Sequence, residues 1–395
     1  MNNTKFYYLY SILSTTALSF FNPILYIFLL SKDFSFAEVG LYLSIFWLVS
    51  FMTELPCGAI TDNIGAKNSI LFSSVFRVIG LILLLSNSLI LLYTSAILSA
   101  VAESFQSGTL TSWLVNVSNK NNEEINIDKI LSRNSLYALF FSAIVGFISA
   151  KYVYVYYKSL SIILSMIVFI ISLFITLLFM KNLEVTQKIS IEKLKDSFVT
   201  VKNSLKETLY VKSSVFLMIL FVIPSILDLG PSNQWQAVFE KFDSNIIGYI
   251  WVGISISGML GSLIYEKLSN KLSKLRILYF FVVVNIGMLL MFIFIQNVFA
   301  KFVLFMLYIV FFTLMSIQVN VFMHKYLVKN DDNRTTIVSI FYTFESVIVA
   351  ILLSVNGVLT DKVGIENTWL VFLGIIGIVI ISFVLVMFKK RFNKP

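Results

Sequence analysis

Charge is what this chain of 395 residues has least of: 13% of it is charged and 58% is hydrophobic, where soluble domains carry about a quarter charged residues. With a mean hydropathy of +0.88, most of the surface must face lipid, and little length is left for a separate soluble domain. A lone cysteine, Cys57, set in an apolar stretch, rules out an intramolecular disulfide and makes a thiolate metal site untenable. The only histidine, His324, stands beside Lys325 with no second ligand at metal-binding spacing. No Gly-x-x-x-x-Gly-Lys loop is present, which excludes ATP drive by this chain. No nucleophile and base stand at a spacing that would mark a membrane-embedded enzyme. Neither a metal nor a cofactor is expected.

What the chain does have is long apolar runs. A bilayer core about 30 Å thick needs roughly 20 apolar residues per spanning helix, and the runs predict twelve spans: 6–30, 38–60, 68–86, 89–117, 130–150, 157–180, 213–233, 246–265, 276–296, 299–324, 335–357 and 368–388. They are too long and too uniformly apolar for barrel strands, so helices are expected throughout. The first run, from Phe6 to Leu30, is too long for a signal-peptide core and is read as a retained helix. The expected fold is therefore an all-α membrane bundle with an N-terminal six-helix half at 1–180 and a C-terminal half at 213–395. Between them, residues 181–212 form a linker with seven lysines and four acids. Within it, Ile191, Leu194, Phe198, Val201 and Leu205 recur at three and four, the spacing of an amphipathic helix on a membrane surface or in a solvated connection.

Placing both termini in the cytoplasm puts 23 of the 30 lysines and arginines inside, the bias that the positive-inside rule requires. The net charge of +9 then belongs to loops facing lipid headgroups. No nucleic-acid partner is expected.

After the second span comes Gly58-Ala-Ile-Thr-Asp62-Asn-Ile-Gly65-Ala-Lys67. Gly58 would let another helix approach, Asp62 can cap or pair at the membrane edge, Gly65 permits a left-handed turn, and Lys67 offers charge to the inner leaflet. This stretch resembles the signature loop of the major facilitator superfamily, Gly-x-x-x-Asp-Arg/Lys-x-Gly-Arg-Lys/Arg, between helices 2 and 3. Asn63 and Ala66 stand where that family usually has bases, so gating salt bridges through those two positions are not expected. A second copy, Gly357-Val-Leu-Thr-Asp361-Lys-Val-Gly364, ends the eleventh span. Gly146 with Lys151 and Gly261 with Glu266 are weaker echoes after spans 5 and 8. The resemblance implies two six-helix bundles built from inverted three-helix repeats. Arg334 to Ser339 also looks like the start of helix 11 in bacterial drug-efflux members. Many proton-coupled antiporters of the family carry an arginine motif in helix 4, and it is absent here.

A charged side chain at the bilayer centre costs about 2.5 to 3.5 kcal/mol on insertion scales, so each must be paired, wet or functional. Five stand out: Glu54, Arg77, Glu103, Asp228 and Glu345. Rise per residue puts Glu54 about 12 Å deeper than Asp62, and Arg77 about 15 Å past Lys67. Arg77 has two readings, a structural ion pair with Glu103 or Glu54, or a direct role with substrate or coupling ion. Asp228 lies between Pro224 and Pro231, close to Asn233, Gln234, Trp235 and Gln236, and Asn22-Pro23 matches it in span 1. Prolines free backbone carbonyls there and can kink both spans. Span 4 carries a polar stripe of Ser99, Glu103, Gln106, Ser107 and Trp113, and span 10 answers with Thr313, Ser316, Gln318 and Asn320. Such groups bond a substrate or one another. The carboxylates suit reversible protonation.

The function expected is proton-coupled export of small amphipathic or drug-like compounds, through the plasma membrane of a bacterium and by a monomer. Uptake or facilitated diffusion of a small polar solute is the alternative.

Overall fold

Backbone groups that cannot reach water must bond within their own segment, and here helices alone meet that demand. The computed structural model describes residues 2–120, 126–181, 212–272, 275–323 and 334–392, which contain no strand. The amphipathic stretch of the linker, His324 and Lys325 lie outside the described residues.

Each expected span falls on helix. Span 1 is α1 (Asn3–Phe21) and α2 (Leu25–Leu30); spans 2 and 3 are α3 (Phe36–Ile64) and α4 (Ala66–Leu84); span 4 is α5 (Leu89–Gln106) and α6 (Thr109–Lys120). Span 5 is α7 (Ile127–Ile148), running through a π-helical turn at Ser149–Val153 into α8 (Tyr154–Tyr156), and span 6 is α9 (Leu160–Phe179). Spans 7 to 12 are α10 (Lys212–Glu240), α11 (Ile247–Leu272), α12 (Leu275–Phe294), α13 (Val298–Phe322), α14 (Arg334–Val363) and α15 (Ile365–Phe392). Nine stretches among the described residues are long and apolar enough to cross a bilayer. The remaining three spans are interrupted (span 1), carry a polar run (span 7) or present a shorter described apolar stretch (span 12).

Two spans are broken, for different reasons. Pro23 has no N–H to continue α1, which closes with the Asn22 N–H on the Leu18 carbonyl at 2.9 Å. Span 4 has no proline. It parts at Ser107, extended at φ −54 and ψ 121, and at Gly108, whose φ of +67 an L side chain rarely adopts. Pro56, Pro224 and Pro231, by contrast, lie inside uninterrupted helices. In α10, side chains bond back to carbonyls one turn earlier: Ser232 Oγ donates to the Asp228 oxygen at 2.5 Å and Asn233 Nδ2 to that of Leu229 at 2.9 Å.

The chain divides into two compact units, Met1–Thr200 with Phe239–Val252, and Val201–Val238 with Gly253–Pro395. In the first, α4 and α5 pack together, α3 lies on α5, and α1 packs on α7 and α9. Phe6, Tyr10, Ile70, Trp113 and Met180 form its buried cluster. Trp113 Nε1 donates to the Lys181 carbonyl at 3.0 Å and Lys67 Nζ to the Leu177 carbonyl at 2.9 Å. Both bonds tie down the end of α9, where unpaired carbonyls and the negative end of the helix dipole attract a cation. Lys67 is thereby held by a helix end. In the second unit α12 packs on α13, and α15 on α12 and α14.

The two copies of the loop motif fold alike. Gly65 has φ 85 and Gly364 φ 84, and each N–H returns to the threonine carbonyl four residues back, Thr61 at 2.8 Å and Thr360 at 2.9 Å. Across each turn two hydroxyls meet eight residues apart, Thr61 with Ser69 at 2.5 Å and Thr360 with Thr368 at 3.3 Å. The close helix approach expected at Gly58 is absent: among the described residues nothing lies within 4 Å of where its Cβ would be. The echo glycines have that role instead. A Cβ on Gly146 would strike the Trp251 indole, and one on Gly261 would come within 2.8 Å of Thr313 Cβ.

Candidate functional site

Ionisable groups are so few in the spans that their pairing defines the site. In the first unit α4 presents Arg77 to Glu103 on α5, Nη2 to Oε2 at 2.5 Å. Of the two partners expected for Arg77, Glu103 is the one it meets. The guanidinium carbon also stands 5.9 Å from the Phe169 ring centre on α9, close enough for a cation–π attraction. The Arg77 side chain is 4% exposed and that of Glu103 49%. The pair is thus a dipole with its negative end outward. Gln106, one turn on, donates from Nε2 to Ser14 Oγ on α1 at 2.8 Å, which turns this face of α5 toward α1.

Around the pair, hydroxyls fasten the helices. Thr53 on α3 meets Ser104 on α5 at 2.8 Å, Ser73 on α4 donates to the Ala102 carbonyl at 2.7 Å, and Ser95 to the Gly80 carbonyl at 2.7 Å. These bonds fix the register of α4 and α5, and with it the separation of the two charges. Glu54, beside Thr53, is exposed. Asp62 is exposed at the loop, and Asn22 at the break in span 1.

The second unit gathers its own carboxylates. Asp228 on α10 accepts a hydrogen bond of 2.8 Å from the Tyr308 hydroxyl on α13. Glu345 on α14 accepts one from Ser225. Ser225 and Asp228 are three residues apart and share one face of α10, so both carboxylates lie against it. Nearby, Asn320 Nδ2 donates to the Ser316 carbonyl at 3.0 Å and its Oδ1 accepts from Tyr342 at 3.0 Å. Gln318 is fully buried.

Residues grouped together in the sequence separate here. Gln234 is fully buried, receiving the Trp369 indole N–H at 2.7 Å and donating to Thr360 Oγ1 at 3.0 Å. It joins α10 to α14 and α15 next to the second motif turn. Gly230 lies against the same indole. Trp235 is buried, Asn233 bonds its own helix, and Gly357 is buried while Asp361 is exposed.

The second unit also holds a charged pair. Lys301 on α13 is 2% exposed and meets Glu366 on α15 at 2.5 Å, its ammonium 5.0 Å from the Phe292 ring centre. Lys301 lies inside the run 299–324, two residues past its start. A buried cation, a half-exposed glutamate and a phenylalanine ring thus recur in both units.

The sequence profile of the Major Facilitator Superfamily matches residues 7–353. An uncharacterized MFS-type transporter of Bacillus subtilis strain 168, YxaM, is 26% identical over 251 residues, and the match spans 62% of this chain and 61% of the length of that relative. Among solved structures, the nucleoside transporter NupG superposes with a TM-score of 0.77 at 15% identity, covering 100% of both chains. A POT family transporter in complex with 5-aminolevulinic acid superposes with a TM-score of 0.66 at 15% identity, over 99% of this chain and 96% of that one. At such identities the likeness shows the fold.

Proposed function

The chain belongs to the major facilitator superfamily, a family of transporters and not of enzymes, and from that premise we propose that it exports small amphipathic or drug-like compounds in exchange for protons by alternating access. The observation that carries this reading is the Arg77–Glu103 pair: a carboxylate 49% exposed within a membrane span. A group so costly in lipid is retained because it exchanges a counter-ion during the cycle. Asp228, Glu345 and Glu54 are the other candidate proton carriers. Residues 1–180 and 213–395 are the two halves, both termini are cytoplasmic, and the transporter is a monomer in the bacterial plasma membrane.

Everted membrane vesicles test the proposal with a fluorescent cationic dye and a pH indicator. Dye accumulation with proton release from the vesicle, lost in Asp228→Asn or Glu103→Gln, is the expected result. If neither dye nor protons move, uptake or facilitated diffusion of a small polar solute replaces it.

A further inference from the structure

One face of α13 joins two ionisable contacts of the second unit. Lys301, Phe305 and Tyr308 follow one another at four and three residues, so they share that face, and all three are buried. At one end the Lys301 ammonium meets Glu366 of α15 and lies over the Phe292 ring of α12. Phe292 stands 5.6 Å from Phe305, ring centre to ring centre, and Phe305 stacks on Tyr308 at 5.9 Å. At the other end the Tyr308 hydroxyl donates to Asp228 Oδ1. Seven residues of α13 separate the two contacts, about 10 Å along the axis. The rings between them are buried and apolar, so a charge at one end is weakly screened at the other. The other ionisable groups nearby are few. Glu345 and Tyr342 of α14 are engaged by Ser225 and Asn320, and Asp361 and Lys362 stand exposed just before α15. Glu366 is itself 37% exposed, so water screens it and leaves the buried ammonium as the stronger source of field.

We propose that Lys301 is a positioning residue for Asp228: its ammonium, acting across the aromatic row, sets how readily that carboxyl gives up its proton, and Glu366 moderates the effect by pairing with it. The sign follows from Coulomb's law. A buried cation favours the charged form of a carboxyl, and an anion beside the cation offsets it. This rests on the reading of Asp228 as a proton carrier and adds its control, which lies on α13 and α15 and not on the carrier's own helix. The competing account is a plain structural tie between α13 and α15, with Glu366 favoured by the first turn of its helix.

The full chain in lipid nanodiscs, titrated with acid while infrared difference spectra follow the carbonyl band of protonated carboxyls, tests the proposal. In each background, the part of that band lost on adding Asp228→Asn belongs to Asp228. Its half-formation is expected at the lowest pH in Glu366→Gln, which leaves the ammonium unopposed. Wild type comes next, then Lys301→Gln/Glu366→Gln, and Lys301→Gln has the highest. Glu366→Gln departs from wild type by about half a pH unit to one unit, the size expected of a unit charge about 10 Å away at an effective dielectric constant of about 20. Lys301→Arg, which keeps the charge, stays close to wild type. Should Glu366→Gln fail to fold, Lys301→Gln and the double variant, which leave no buried cation, still give the order. Coincident midpoints, the reverse order, or no band lost with Asp228→Asn overturns the proposal. The expected order without proton-coupled flux in vesicles would instead remove the exporter reading and leave the tuning of Asp228 standing.

Discussion

Arg77 and Glu103 share one ion pair but not one environment: Nη2 and Oε2 are 2.5 Å apart, with side-chain exposures of 4% and 49%. The cation has given up its water and the carboxylate has kept part of its own. Removing the glutamate leaves a buried, uncompensated charge, whereas removing both leaves a neutral seam. Glu103→Gln is accordingly expected to lose about 3 to 5 kcal/mol of stability, with most of that recovered in Arg77→Gln/Glu103→Gln. Thermal unfolding of the four variants of this cycle in one detergent measures it. Additive losses would mean that the pair does not act as a unit.

Tyr308 is the donor that faces Asp228. Tyr308→Phe keeps the ring and its stacking on Phe305, 5.9 Å away, but withdraws the hydroxyl. A hydrogen bond to a group of this kind is worth about 1.5 to 3 kcal/mol when charged. The variant should fold with a lower unfolding midpoint and slow the dye flux of everted vesicles several-fold. Unchanged flux would separate Tyr308 from coupling.

Gln234 and Trp369 form a lock between α10 and α15 with Gly230 beneath it. Gly230→Ala pushes a methyl group into the Trp369 indole, and overpacking of this kind costs about 1 to 3 kcal/mol. Trp369→Phe removes the donor to Gln234, leaving a buried amide oxygen short of a partner at about 1 to 3 kcal/mol. Both losses should appear as lower midpoints. A Gly230→Ala protein as stable as wild type would show that the indole yields.

Gly65 and Gly364 differ from Gly58 in the reason for being glycine. At φ 85 and φ 84, with ψ 153 at Gly65, the backbone lies where side chains are rarely tolerated, and alanine is strained by about 1 to 3 kcal/mol. At Gly58 the helix is ordinary and the adjoining space open, so alanine gains up to about 1 kcal/mol of helix propensity. The same substitution is therefore expected to lower the midpoint at 65 and 364 and to hold or raise it at 58. A uniform loss would contradict the dihedral argument.

The sequence made some of this legible and hid the rest for definable reasons. Twelve apolar runs announce twelve helical spans because lipid enforces a length and forbids unpaired backbone. Asn22-Pro23 announces its break because proline lacks a donor. Gly108 does not, since a glycine inside an apolar run reads the same as Gly287 or Gly374, which lie within continuous helices. Arg77 and Glu103 were conspicuous because charge is scarce. Lys301 was not, as a base near the end of a run is easily assigned to the neighbouring loop. Gln234 stands six residues from Asp228 in the sequence. Its partners Thr360 and Trp369 stand 126 and 135 residues away, beyond the reach of any local pattern.

The hydroxyl contacts across the two glycine turns, Thr61 to Ser69 and Thr360 to Thr368, contain no group that ionises. A membrane potential does work only on charge, about 2.3 kcal/mol per elementary charge per 100 mV, and salt screens only charge. The two hydroxyl contacts therefore offer such a field nothing to act on, although Asp62, Lys67, Asp361 and Glu366 stand within the same turns. The contacts add to the register of the joined helices without adding charge.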